Sequence, residues 1–549
     1  MRSTRRATAW FALVTALAVT LAGCGGGGGG DGAGDKPVEG GTLTVAIHQD
    51  PASQLDIHVT AADISGLVLR NVFDSLVEQD PDGSFKPWLA KSWDVSEDGL
   101  QYTFKLRDDV KFQDGQPFNA EAVKANFDHV SNPATKSQYA SSLLGADAYK
   151  STEVVDEYTV RVNLSRPYAP LLQGLSTTYL GFYSPAVLTS SADKLVVGGK
   201  GITVGTGPFV FESQTAGQNI KLSKNPDYDW APENATHTGP AHVDDVVFRI
   251  LPEDTVRTGV ITSGEADVAT NISAGDVEGL EANDEVKISS TEAPGLPWSA
   301  FLNHSRGVFA DQKVRQAFQR GIDISSVVTS VYGGVFDRAW SVLGPKTPDS
   351  YDKSLEGTWD VDTDLANQLL DEAGWTKRDG DGYRTKDGKR LSARWIGVSG
   401  AREDRDTLVS SFQADMKKIG FEIVVEPLDS GAYITKLQSG DYDIIDWSFI
   451  RADADILRLH LFSTMAPIQN ASWVNDSHID DLTLRASQST DPAEREKLYQ
   501  EVQKWVIDTA AIVPVYVPKA IVASSTKIGG LRETIYGWPV LYDVWTTRK

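Results

Sequence analysis

The side chains able to do chemistry are scattered: eight histidines, one cysteine and many carboxylates, with no nucleophile and base set side by side. Gly198-Gly199-Lys200-Gly201 lacks the spacing of a phosphate-binding loop and the Ser/Thr that should follow its lysine. No HExxH pair occurs, and Gly397-Val398-Ser399-Gly400-Ala401 places its second glycine one position too early for a nucleophile elbow. His237 and His242 are near neighbours in a polar loop; without further ligands beside them they read as surface histidines rather than a metal pair. The run DGDGYRTKD at 379–387 is similar to the start of a calcium loop, yet the later acidic ligand of an EF-hand is missing, which leaves a solvated turn. Triads assemble from residues distant in sequence, so a hydrolase stays a rival reading, but no residue presses for one. Neither a metal nor a cofactor is expected.

The bulk numbers narrow the class. The 549 residues are enough for about three to four domain-sized units, and 41% apolar with 23% charged residues is ordinary for a globular chain. The net charge of −23, or −26 without Arg2, Arg5 and Arg6, argues against nucleic acid or an anionic membrane surface as partner. Cys24 stands alone, which excludes an intramolecular disulfide, zinc fingers, iron–sulfur ligation and CxxC redox chemistry. Residues 1–6 are basic, 7–22 form an apolar run, and small residues follow, which is the layout of a signal peptide over 1–23. Leu21-Ala22-Gly23-Cys24 matches the bacterial lipobox, so cleavage before Cys24 and lipidation of its thiol are expected. The glycine-rich stretch within 24–40 cannot pack, and a dozen such residues reach about 20 Å. No later apolar stretch has transmembrane length.

The elements after this tether follow from periodicity. A strand is expected over 41–47. Ile64, Leu67, Val68, Val72 and Leu76 recur at helical spacing and predict a helix over 63–77. Leu100, Tyr102, Phe104 and Leu106 alternate as a strand, a turn follows at 112–115, and Asn119 is set to cap a helix over 120–130. Trp88 and Trp93 read as core rather than ligand platforms. From Leu391 the order strand, helix (Leu408, Phe412, Met416, Ile419), strand 421–426, helix 431–438, strand 442–447 is a βαβαβ pattern, hence an α/β lobe with a mixed sheet. The last long strand, 511–517, carries Pro514, which suits an edge or crossing position.

Between these lies VGTGPFVFESQTAGQNIKLSKNPDY, residues 204–228. Its apolar alternation, punctuated by Gly, Asn, Pro and Asp, predicts a hairpin, and its glycine-rich lead-in lets the backbone approach a neighbour closely. The same string resembles the central signature of the extracytoplasmic solute-binding proteins of ABC importers, in their large peptide/nickel-type family, family 5. WLAKSWDVSEDGLQYTFKLRDDVKFQDGQPFNAEAV from Trp88, and Phe301-Leu302-Asn303 with DQKVRQAFQRG from Asp311, resemble two further blocks of that family in the same order. The resemblance covers nearly all of the chain from about Thr42. It implies an α/β fold of the two-lobed periplasmic-binding-protein type II class, large and three-subdomain, with mixed sheets flanked by helices and a hinge. The implied division is a core of lobe I from 41–58, 180–270 and 500–549, an extra subdomain 59–179, and lobe II over 271–499.

It further implies a monomer held to the outer face of the cell membrane, or in the periplasm, by its lipid alone. Such a protein delivers a small solute, an oligopeptide above all, to an ABC permease and its ATPase. A nickel chelate, an oligosaccharide or an opine is the alternative solute; a secreted hydrolase or a surface sensor or chaperone is the alternative class. In peptide-binding relatives an aspartate beyond the strand ending near Trp447 receives the peptide ammonium. Asp453 matches best and Asp455 is the alternative, with capping of the helix over 456–462 as the plain competing role. Phe449 and Ala454 depart from the glycine and proline common there. An arginine ahead of the Leu408 helix would fork onto the ligand carboxylate: Arg405, or Arg402, with a local ion network among Glu403, Asp404 and Asp406 as the competing role. Trp298, Trp340 and Trp447 are expected to line the pocket.

Overall fold

Thr42–Ile47 is buried along Leu43, Val45, Ala46 and Ile47 and runs parallel to both Asp245–Ile250 and Val268–Thr270, as a central strand covered on both faces must. The computed structural model describes residues 36–52, 54–398 and 404–548; Cys24, the tether up to residue 35 and Arg402 lie outside them. Pro37–Lys549 packs as one unit. The seven-stranded sheet built on Thr42–Ile47 runs Val286–Glu292, Lys519–Ser525, Val268–Thr270, Thr42–Ile47, Asp245–Ile250, Asn219–Lys224, Phe209–Thr215. Its last two strands are the hairpin of the 204–228 stretch, antiparallel from Phe209 against Lys224 to Thr215 against Asn219.

A second sheet of six strands runs Asp337–Arg338, Ile512–Val517, Gly295–Leu302, Ile444–Ile450, Ser392–Val398, Glu422–Leu428. A separate four-stranded antiparallel sheet (Ala90–Val95, Gln101–Leu106, Thr159–Leu164, Tyr149–Asp156) carries the helix Ala120–Ser131, whose Asn119 side chain accepts from Ala122 N at 3.1 Å. Among the described residues no helix is long and apolar enough to cross a membrane.

The division between lobes needs correcting. Val286–Glu292, expected in lobe II, pairs with Lys519–Ser525 in the first sheet, and Ile512–Val517, expected in lobe I, lies in the second. The chain crosses between the sheets at Ala293-Pro294 and again at Pro518, and the Ala293 N–H donates to the Pro518 carbonyl at 2.9 Å. Two adjacent crossings, each holding a proline, join the two sheets. Pro514 lies opposite Ser299 at the register shift against Gly295–Leu302, and on its other side it sits beyond the two-residue pairing of Asp337 and Arg338 with Val517 and Tyr516, so it falls at a bulge inside the sheet and not on an edge.

The helix expected over 63–77 stops at Leu69. The Asn71 side chain turns back onto the Leu67 and Val68 carbonyls, and the next backbone groups are claimed from afar. Gly207 N donates to Val72 O and Phe209 N to Asn71 O. A Cβ on Gly207 would lie 2.6 Å from the Val72 carbonyl carbon, so the glycine permits this contact. Gln113 of the second block clamps the same turn, its Nε2 donating to Phe209 O at 2.8 Å. Below it Asp74 is fully buried and accepts from Thr206 Oγ1 at 3.0 Å, Trp230 Nε1 at 3.0 Å and Tyr228 OH at 3.5 Å. Thr206 and Tyr228 of the 204–228 stretch thus meet Trp230 around one carboxyl group.

Candidate functional site

A cavity of about 320 Å³ takes its walls from both lobes. The first lobe supplies Asp63, Arg70, Glu78, Gln79, Tyr139, Tyr179, Tyr536 and Trp538; the second supplies Ser448, Phe449 and Ile450, the last residues of the strand Ile444–Ile450. The site therefore lies at the carboxyl end of a strand, where α/β sheets bind their ligands. Tyr139 meets Tyr179 edge-on at 5.1 Å and Phe449 at 5.3 Å, so an aromatic wall spans the two lobes. Tyr536 and Trp538 pack at 5.1 Å on the first-lobe side. Burial pushes the Tyr536 hydroxyl up to about 12, so it serves as a neutral donor and acceptor.

The polar groups are unequally served. Arg70 donates to Ser75 Oγ at 2.6 Å and to Ser176 O, and its guanidinium stacks 4.8 Å from the Trp88 ring. Trp88 is thereby a core residue, as its pattern implied. Glu78 lies 3.6 Å from Arg70 Nη2, outside hydrogen-bond reach, and its buried Oε2 receives no hydrogen bond. Burial raises its pKa above the ordinary carboxylate range, against the pull of Arg70 and Arg532. Gln79 spends its Nε2 on the carbonyls of Gly83 and Ala452, both at 3.4 Å, and its buried Oε1 receives nothing. On its far side Gln79 also borders a cavity of about 420 Å³, with Asp453 and Arg495.

The expected ligand residues are placed otherwise. Asp453 Oδ1 is 2.5 Å from Arg495 Nη2 and accepts Asp455 N at 2.7 Å; it borders the second cavity, not the first. Asp455 is fully buried, with Arg458 Nε at 2.8 Å and Nη2 at 3.0 Å, Tyr168 OH at 3.3 Å and Tyr499 OH at 3.4 Å. Burial opposes its charge, but Arg458 and Arg451 outweigh that and hold its pKa below the usual range. The carboxylate of Asp455 is a structural counter-ion, and its side chain makes no capping bond to the helix Ile456–Leu461. Arg405 sits in a different cluster, donating to Tyr516 OH at 3.1 Å with its guanidinium 5.8 Å from the Trp298 ring. Asp453 and Arg405 are not brought together.

The three tryptophans likewise do not border the 320 Å³ cavity. Trp298 is fully buried and donates to Asp446 Oδ1 at 3.0 Å. Trp340 lies 3.9 Å under the Arg338 guanidinium, and Trp447 packs on Phe301 at 4.9 Å, on the opposite face of its strand from Ser448. Phe449 was visible as a departure from the usual glycine; it is the aromatic side chain lobe II contributes to the cavity. Glu78, in the three-residue buried strand Val77–Gln79, carried no such signal, because the pattern ahead of it reads as helix. His237 and His242 stack at 4.1 Å, with Asp543 and Glu39 as partners, and no group of three or more possible metal ligands exists among the described residues.

One contact network ties the lobes together beside the cavity. Arg451 donates through Nε to Gln173 Oε1 at 3.1 Å and through Nη2 to Tyr168 OH at 3.0 Å, and Gln173 Nε2 in turn bonds Tyr536 OH at 3.1 Å.

Comparison with known proteins agrees with this architecture. The family model described as bacterial extracellular solute-binding proteins, family 5 Middle, matches residues 84–459. The glutathione-binding protein GsiB of Escherichia coli K12 is 26% identical over 489 residues, covering 87% of this chain and 89% of the relative. Among solved structures, NikA from Brucella suis in complex with Fe(III)-EDTA superposes with a TM-score of 0.80 at 25% identity, covering 92% of this chain and 100% of that one. DppA from Helicobacter pylori in complex with the peptide STSA gives 0.77 at 26% identity, covering 93% and 99%.

Proposed function

Because the chain belongs to the family 5 bacterial extracellular solute-binding proteins, which serve ABC importers, we propose that it captures a short peptide between its two lobes and hands it unaltered to a membrane permease. The observation that carries this reading is the cavity with walls from both lobes and an aromatic lining that crosses between them. A pocket of some hundreds of Å³ with a few polar anchors is the usual form of a small-molecule site. The adjoining 420 Å³ cavity across Gln79 gives an extended ligand somewhere to continue. Rotation about the crossings at Ala293-Pro294 and Pro518 opens the space, and closure buries the solute and presents the closed shape to the permease. The peptide bound by the Helicobacter pylori relative, and the glutathione of the Escherichia coli one, support the ligand class.

Titration calorimetry with a short-peptide library tests it. Phe449→Ala or Trp538→Ala should weaken the best binder by about tenfold or more, as for a buried aromatic anchor; unchanged affinity in both would place the ligand elsewhere. Cys24 supports lipid anchoring on the outer face of the membrane, on sequence grounds. Cys24→Ser should abolish incorporation of a labelled fatty acid into the protein, because the thiol that would carry the acyl chain is missing. An equally labelled variant would refute the anchor.

A further inference from the structure

Two buried acceptors on one short strand, in residues that border the cavity, lack hydrogen-bond donors. Glu78 is 8% exposed and Gln79 6%, and neither Glu78 Oε2 nor Gln79 Oε1 receives a hydrogen bond. The Gln79 amide cannot relieve this by flipping, because its oxygen would then face the Gly83 and Ala452 carbonyls. Arg70 pairs with Glu78 at 3.6 Å but donates its hydrogen bonds to Ser75 and Ser176, and Arg532 donates to Asp543 at 2.7 Å. The charged side chains in the wall are Asp63, Glu78 and Arg70, an excess of one negative charge. A buried acceptor left unmet costs about 1–3 kcal/mol, and a group that brings both N–H donors and positive charge meets both deficits at once.

We propose that Glu78, with Gln79 beside it, is the specificity-determining element of this site and selects a solute carrying a cationic nitrogen, an ammonium or a guanidinium. This rests on the cavity being the ligand site, but not on the ligand being a peptide. Glu78→Gln is the informative change: it keeps the shape and removes the charge.

The test is titration calorimetry of wild type and Glu78→Gln against Ala-Lys-Ala, N-acetyl-Ala-Gln-Ala-amide, agmatine and N-acetyl-Ala-Glu-Ala-amide. The expected result is that wild type binds a cationic probe in preference to the neutral and anionic ones, and that Glu78→Gln weakens that probe by about tenfold or more. Binding of agmatine without binding of any peptide would leave this assignment standing and remove the peptide reading. Binding of the neutral or the anionic blocked peptide as tightly as the cations, with Glu78→Gln indistinguishable from wild type, would overturn this assignment and leave the solute-binding reading intact. Failure of wild type to bind either cationic probe would overturn it as well.

Discussion

Asp455→Ala is expected to destabilise the fold by about 3–5 kcal/mol while leaving the solute affinity of the folded protein close to that of wild type. The carboxylate lies fully buried between Arg458, which grips both of its oxygens, and Arg451, whose Nη1 is 3.5 Å from Oδ2. Its removal strands two guanidinium groups away from water. Arg451 already has one unmet nitrogen, Nη1, so it has no reserve of partners. Adding Arg458→Met to Asp455→Ala should recover part of the loss, since one stranded charge then disappears. Urea denaturation and calorimetry read the two effects separately. A variant as stable as wild type that no longer binds solute would mean Asp455 is a ligand anchor, against its position among Arg458, Tyr168 and Tyr499.

Asp74→Ala is the second large effect, expected to cost about 3 kcal/mol near pH 4, or roughly 1 kcal/mol for each of the three stranded donors Thr206, Trp230 and Tyr228. Burial pushes the Asp74 carboxyl up to about 7 from its ordinary 3.8, with the hydrogen bonds from Thr206 and Trp230 and the charge of Arg70 pulling against it. The folded state therefore holds this proton more tightly than the unfolded chain does. Wild type loses stability as pH rises from about 4 to 7, and the variant has no such group to lose. The gap between them should narrow with rising pH, by at most about 1.4 kcal/mol per unit. A gap that widens with pH would show that the donors hold Asp74 as an anion in the fold.

That junction marks how far sequence reasoning reaches here. The hairpin over 204–228 was legible because alternation and turn residues are local, and so was the Asn119 cap. What the glycines of Gly205-Thr206-Gly207 approach was not legible, since Val72 and Asp74 lie some 130 residues away. The same distance hid the end of the first helix: Val72 and Leu76 continue an apolar stripe, but the backbone at 71–72 is bonded to another turn. Strands Val286–Glu292 and Ile512–Val517 look alike in pattern wherever they pair, so the lobe boundaries fell on the wrong side of the crossings. The cavity draws on segments near 63, 78, 139, 179, 449 and 537, and no periodicity links them. Asp453 and Asp455 had the right residue type in a plausible place, yet Arg495 and Arg458, from elsewhere in the fold or one turn on, had already taken them. Charge complementarity inside the protein is invisible until the partners are placed.

The central claim, that a small solute is enclosed between the lobes and released unchanged, is tested most directly by native mass spectrometry of the protein purified from its own cells. The account predicts a one-to-one complex with a single class of small, nitrogen-bearing solute, whose mass after release equals its mass in the complex. A protein that carries nothing and takes up nothing from a peptide and amine pool would contradict it. So would a solute whose mass changes on incubation with the protein.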